Sequence, residues 1–283
     1  GFNYVVFNEG AINITKRDGT KEAFNADKIN RSIERAAAGL FDPVSKVIQV
    51  ATETRLTLYD GITTNEIDQA TISAAIQNIK DDPEYDKIAT RLLAKIIYKG
   101  AVGEYDEDKA GDLDLKHKAY FPEYIRKAVA DGRLDKRMAE VYDLEVLADA
   151  MDLKRDELLQ YTGLSTLSSL YLLKDEMTNK FLETPQIFWM RVAMGLSFNE
   201  AEPTLWAKRF YDKMSRLSYI PGTSTNLGAG TTHPALSNCF LMEVHDDMAH
   251  ISKSVADVMM LSKGSGGLGV ALTKLRATNS PLK

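Results

Sequence analysis

Lys16, Arg17, Lys21 and Lys28 crowd around one predicted hairpin in an otherwise acidic chain. Cations gathered beside a helix start are a common means of holding a polyanion. Lysine and arginine supply charge, and the first backbone N–H groups of the helix supply donors. A triphosphate carries about four negative charges, which suits such a set. Lys16 and Arg17 on the first strand, Lys28 on the first helix and Lys99 on the last helix of this region could converge on one bundle end. By spacing alone, a solvated charged hairpin is the commoner explanation of such a run, so both readings stand at this point.

Two further stretches have chemical potential. Lys263-Gly264-Ser265-Gly266-Gly267-Leu268-Gly269 is glycine-rich. A Walker loop needs its lysine at the end of the motif after a strand, and a dinucleotide fingerprint runs from strand into helix. Here the order is reversed, which leaves a close backbone approach or a tight helix-to-strand connection. Cys239 is the one cysteine of the chain. It excludes an internal disulfide framework and a cysteine-based zinc site, and a lone strand cysteine is more often a small buried hydrophobe than a nucleophile. His117, His233, His245 and His250 lack metal-ligand spacing, so no metal site is expected.

The elements that would position these residues follow from local signals. Residues 11–24 read as a β-hairpin with its turn at Arg17-Asp18-Gly19-Thr20. Asp27 to Gly39 reads as a helix, and Asp42-Pro43 starts another running to about Tyr59. Thr63 with Glu66 fits a capping box. Asp82-Pro83 opens a fourth helix, and Gly100 to Gly111 reads as a linker. Phe121 to Tyr219 is mostly helical, with helices from Thr184-Pro185 and Pro203 and a possible short strand at Ser169–Leu173. Ile220 to Leu236 reads as a long loop, Asn238 to Val244 as a buried strand, Asp247 to Ser262 as an amphipathic helix and Val270 to Leu275 as a strand. One strand–helix–strand unit cannot close a sheet, so the chain is expected to hold only the beginning of a larger α/β domain.

Composition bounds the rest. The chain has 283 residues, 44% hydrophobic and 27% charged, with a formal net charge of -5. This is an ordinary globular composition. An acidic chain argues against nucleic-acid binding through bulk charge, so any anion site is local. No apolar run approaches the roughly 18 residues of a membrane span. The first ten residues lack the pattern of a secretory signal. No membrane or nucleic-acid partner and a cytoplasmic location are the expectations.

Read together, the motifs resemble the large (alpha) subunit of ribonucleotide reductase. Ile14-Thr15-Lys16-Arg17-Asp18-Gly19, Glu22, Asn25-Ala26-Asp27-Lys28-Ile29, Tyr59-Asp60-Gly61-Ile62-Thr63-Thr64 with Ile67, and Pro83, Tyr85, Ala89, Arg91-Leu92 and Lys99 look like an ATP cone. The resemblance implies ATP as activator and dATP as inhibitor, with Mg²⁺. Lys16, Arg17, Lys28 and Lys99 would hold phosphates, and Glu22, Asn25 and Thr64 ribose or base, with Ile14 and Asp68 in the same site. The family often has His at the Asp68 position.

Pro221-Gly222-Thr223-Ser224-Thr225, Gly228-Ala229-Gly230-Thr231 and Leu236-Ser237-Asn238-Cys239-Phe240-Leu241 resemble the family's entrance to a ten-stranded α/β barrel. That implies a redox role for Cys239 and substrate contacts for Thr223 and Asn238. Asp246, Arg276 and Lys283, around the glycine-rich loop, resemble a specificity site for deoxynucleoside triphosphate effectors. The helix 247–262 would form a homodimer interface.

The implied fold is mixed, α+β to α/β: an ATP cone at 1–102 (a hairpin on a four-helix bundle), a helical domain at 103–220 and the first barrel strands at 221–283. The implied activity is radical reduction of ribonucleoside diphosphates. The implied partners are a radical-generating beta subunit, favoured over cobalamin, and thioredoxin or glutaredoxin as reductant. The family's radical cysteine, second redox cysteine and shuttle cysteines are not in this sequence. The chain is therefore expected to be a fragment, or one piece of a split enzyme completed by a C-terminal part of the alpha subunit. The rival expectation is a non-catalytic nucleotide-binding module that regulates assembly. A nucleic-acid repressor with an ATP cone is the weaker third reading, without a zinc ribbon or basic face.

Overall fold

The structure is a computed structural model that describes residues 12–264 and 266–281. Strands β1 (Asn13–Thr15) and β2 (Lys21–Ala23) form an antiparallel hairpin. Gly19 closes its turn at φ +82°, a conformation that costs glycine least. Ala11, placed in this hairpin by the sequence, lies outside the described residues. Helix α1 (Ala26–Ala37) is capped by Asn25, whose side chain accepts from the Asp27 backbone N–H. Helix α2 (Pro43–Arg55) is capped by Asp42, with proline in its first turn. The sequence reading carried α2 on to about Tyr59. Instead Thr57 and Leu58 donate back to the carbonyls of Thr54 and Arg55, which tightens the chain and ends the helix. Helix α3 (Thr64–Gln77) carries the full capping box between Thr63 and Glu66. Helix α4 (Tyr85–Val102) follows.

Then come α5 (Asp112–Ala130), α6 (Arg137–Glu140), α7 (Leu144–Ala150), a 3-10 turn (Leu153–Leu158) and α8 (Tyr161–Thr166). The strand expected at Ser169–Leu173 is absent. Leu167–Tyr171 prolongs α8 as a π turn, closed by Leu172 N–H donating to the Leu167 carbonyl. The Ser168 and Ser169 hydroxyls donate back to carbonyls one turn earlier, so these polar residues serve the helix. Helices α9 (Pro185–Gly195), α10 (Pro203–Ser215) and α11 (Thr223–Gly228) come next, then β3 (Cys239–His245), α12 (Met248–Lys263) and β4 (Gly267–Lys274).

The chain divides into two compact units, 1–105 with 156–185, and 106–155 with 186–283. In the first, α1 to α4 form a closed four-helix bundle, each helix touching the next and α4 returning to α1. Its core is aliphatic: Ile33, Val50, Ala75, Ile88, Ala89 and Ile97 are sealed from solvent. The hairpin is pinned to the turn before α3. Thr15 N–H donates to the Ile62 carbonyl at 3.0 Å and Gly61 N–H to the Asn13 carbonyl at 2.8 Å. The segment 156–185 packs on α4.

The second unit is built around α9. Ile187, Phe188, Met190, Val192 and Met194 are fully buried, and so is Arg191. Residues 220–236 are not one long loop. Helix α11 lies inside the stretch, and the Arg191 guanidinium donates to the carbonyls of Ala229 (2.8 Å) and Asn226 (3.3 Å). A buried charge is tolerable when its donors are used this way. A Cβ on Gly195 would come within 2.2 Å of the Gly230 nitrogen, so this position requires glycine.

Strands β3 and β4 pair in parallel, with Cys239 opposite Gly267, and α12 is their connection. β4 starts three residues before the expected Val270. β3 is not the buried strand expected from its composition. Only Val244 is buried, and Leu241 is 91% exposed. Two strands and one helix leave the remaining sheet faces without covering layers among the described residues. The fold is thus mixed and mostly helical, with no closed barrel among those residues. No described helix is long and apolar enough to cross a membrane.

His117 on α5 gives a stability test. Burial pushes its pKa down from 6.5 to about 4. The native state keeps it neutral, whereas the unfolded chain protonates it below 6.5. Its contribution is complete above that value and is lost as pH falls towards 4, a change of about 3 kcal/mol. Urea midpoints measured from pH 7 to pH 4 should fall accordingly; a flat profile would contradict it.

Candidate functional site

The hairpin, the N-terminal halves of α1 and α3 and the C-terminal half of α4 enclose a cavity of about 400 Å³. All nine residues assigned from sequence to the first anion site line it: Ile14, Lys16, Arg17, Glu22, Asn25, Lys28, Thr64, Asp68 and Lys99. Sequence reasoning missed Ser32 and Lys95, which also line it and hydrogen-bond to each other at 3.0 Å. Lys95 lies one helical turn before Lys99, a spacing that could have signalled it. Apolar wall is supplied by Ile29, Ile67, Leu92 and Ile96.

Five cations (Lys16, Arg17, Lys28, Lys95, Lys99) face three carboxylates (Glu22, Asp68, Glu104). The carboxylates hold the lysines in place. Glu22 takes an ion pair from Lys16 and another from Lys28 at 2.7 Å. Hydrogen bonds from these two lysines hold its pKa down at about 2, so it is charged at any working pH. Lys99 sits 3.3 Å from Glu104. Arg17 makes no hydrogen bond or ion pair with a described residue. Asp68 is different in kind: burial raises its pKa, opposed by the charges of Lys95, Arg17 and Lys99. Asn25 already spends its side-chain oxygen on capping α1. An apolar slot walled by isoleucine and leucine, with cations on the hairpin and helices at its rim, can hold a flat aromatic group and a phosphate chain together.

The other candidates lie in the second unit. Cys239 is an exposed free thiol at the start of β3. Its neighbour Asn238 accepts from Ser224 N–H through its side chain at 2.7 Å, and its carbonyl accepts from Gly267 N–H at 2.7 Å. Thus Asn238 is tied to α11, which begins at Thr223. Asp246 and Arg276 are brought together, with the guanidinium Nε donating to Oδ2 at 2.7 Å. Arg276 also donates to the Pro281 carbonyl. Lys283 lies outside the described residues, as does Ser265 of the glycine-rich loop.

Comparison with known proteins gives the family context. Residues 12–99 match the family model for the ATP cone domain, 157–234 that for the ribonucleotide reductase all-alpha domain, and 237–283 that for the ribonucleotide reductase barrel domain. The chain is 37% identical over 278 residues to the ribonucleoside-diphosphate reductase subunit alpha of Chlamydia trachomatis, covering 97% of this chain and 26% of that protein. It is 33% identical over 270 residues to the Helicobacter pylori subunit alpha, covering 95% of this chain and 32% of that protein. It is 29% identical over 276 residues to Escherichia coli ribonucleoside-diphosphate reductase 1 subunit alpha, covering 95% and 35%. The chain thus spans about a quarter to a third of the length of these relatives. It is similar to the N-terminal part of ribonucleoside-diphosphate reductase alpha subunits, ATP cone included.

Proposed function

We propose, from that likeness, that this chain is the regulatory N-terminal part of a cytoplasmic ribonucleoside-diphosphate reductase alpha subunit. Its cavity binds ATP or dATP with Mg²⁺. The observation that carries this is the convergence of all nine sequence-assigned residues on one cavity of suitable size. Lys16, Arg17, Lys28 and Lys99 hold the phosphates, helped by Lys95. Ile14, Ile29 and Ile67 offer apolar surface to the base, and Thr64, Glu22 and Asn25 line the same cavity. On binding, Lys16 and Lys28 exchange Glu22 for phosphate oxygens.

In the complete protein, Cys239 supplies one of the two thiols that reduce the ribose. Thr223 and Asn238 sit beside the substrate, and Asp246, Arg276 and Lys283 hold a deoxynucleoside triphosphate effector. The exposed Val255, Met259 and Met260 of α12 support a homodimer through that helix. A beta subunit supplies the radical, thioredoxin or glutaredoxin the electrons, and a C-terminal part of the alpha subunit the remaining active-site groups. The proposed domains are 1–102, 103–220 and 221–283. The single cysteine favours a second reading for the chain by itself, a regulatory module without catalysis. Adding the complementary C-terminal polypeptide separates the two, because only the first reading regains reductase activity.

Calorimetric titration of the purified chain with ATP and with dATP, each with Mg²⁺, tests the cavity. One site with micromolar affinity is expected. No heat and no competition by either nucleotide would overturn the reading.

A further inference from the structure

Helix α4 is a shared wall. One side carries Leu92, Lys95, Ile96 and Lys99 into the cavity. Along the same helix, four residues are tied to the segment that returns at 156. Asp86 accepts from Tyr161 N–H at 3.1 Å, at the start of α8. Lys87 donates to the Glu157 carbonyl at 2.5 Å. The Tyr98 hydroxyl donates to Asp156. Arg91 forms a two-point pair with Glu157, Nε to Oε1 at 3.1 Å and Nη2 to Oε2 at 3.2 Å. Farther along, a Cβ on Gly100 would lie 3.2 Å from the Phe181 ring, so α4 and that stretch are in close contact there too.

Arg91 also reaches across the bundle. Its Nη1 donates to the carbonyls of Ala36 (3.0 Å) and Ala38 (2.9 Å), at the C-terminal end of α1. Helix α1 carries Lys28, Ile29 and Ser32 of the opposite cavity wall. One guanidinium therefore ties together both helices that bear cavity cations and a residue 66 positions away in sequence. Only arginine has a rigid fork of donors able to serve a carboxylate and two carbonyls at once.

We propose that Arg91 is a positioning residue of the nucleotide cavity, and that through Glu157 the segment 156–185 takes part in the response to the bound nucleotide. This rests on the nucleotide reading of the cavity. An anion drawn between Lys28 on α1 and Lys95 and Lys99 on α4 changes the spacing of these two helices. Arg91 spans that spacing, so Glu157 and the start of α8 feel the change. The matched all-alpha family region begins at residue 157, yet its first stretch belongs to the same compact unit as the cone.

The test uses the full chain and its E157A, E157Q and R91K variants. ATP with Mg²⁺ is titrated calorimetrically, and backbone amide exchange is followed across 161–171 with and without nucleotide. In the wild type, ATP should slow exchange in 161–171. E157A should bind ATP about three- to tenfold more weakly and lose that slowing, while its melting temperature without nucleotide stays near the wild-type value. E157Q keeps an acceptor for the guanidinium and should retain most of the affinity. R91K should behave like E157A, and it stands in should E157A fold poorly. Wild-type affinity with an unchanged exchange response in E157A and R91K would overturn the proposal. A wild type that binds no ATP would overturn the nucleotide reading itself, a distinct outcome.

Discussion

Replacing Lys16 and Lys28 together by alanine should abolish measurable ATP and dATP binding, with each single substitution weakening it at least about tenfold. The two side chains approach the cavity from different elements, the hairpin and α1, and Glu22 holds both in place. In the free chain they neutralise a carboxylate. With a triphosphate they gain an acceptor of higher charge, and the excess of cations over carboxylates in the wall favours the exchange. Both lysines are largely exposed, so the melting temperature of the nucleotide-free variants should stay close to that of the wild type. The calorimetric signal and its salt dependence are the checks, since an electrostatic site must weaken as ionic strength rises. Undiminished binding in the double variant would mean that the nucleotide lies elsewhere. Loss of binding together with loss of fold would point to a structural hairpin.

The second large effect concerns Cys239→Ser in the complete protein, or in this chain joined by the complementary C-terminal polypeptide. Reducing a ribonucleotide to its deoxy form removes the 2′-hydroxyl as water and takes two electrons and two protons from a pair of thiols, which become a disulfide. Serine can neither supply an electron to that pair nor form the disulfide. Turnover with a dithiol protein reductant should fall at least about a thousandfold. The thiol is exposed at the strand start, beside Asn238. Effector binding at the cone should be unchanged in this variant, because Cys239 lies in the other compact unit. Normal multiple turnover would remove Cys239 from the reaction.

What the sequence determined by itself is whatever a few neighbouring residues can settle. The turn at Asp18-Gly19, the caps at Asp42 and Thr63, and the stop after α1 depend on hydrogen bonds within about one helical turn. The quoted motifs also brought the nine cavity residues together by resemblance, and the hairpin and bundle place them around one cavity. Tertiary structure alone decided the features that need distant partners. Lys95 joins the site because α4 lies across α1, 63 residues away, where Ser32 receives it. Asp68 becomes a carboxyl with a raised pKa because the bundle removes water from it, which no local pattern encodes. The chain at 223–230 turns into helix α11 and buries Ser224, Thr225, Asn226 and Gly228, and its C-terminal carbonyls at Asn226 and Ala229 are satisfied only because Arg191, 35 and 38 residues earlier, donates to them. β3 reads as a core strand yet is exposed, because apolar composition states what a strand can bury but not whether a covering layer is there.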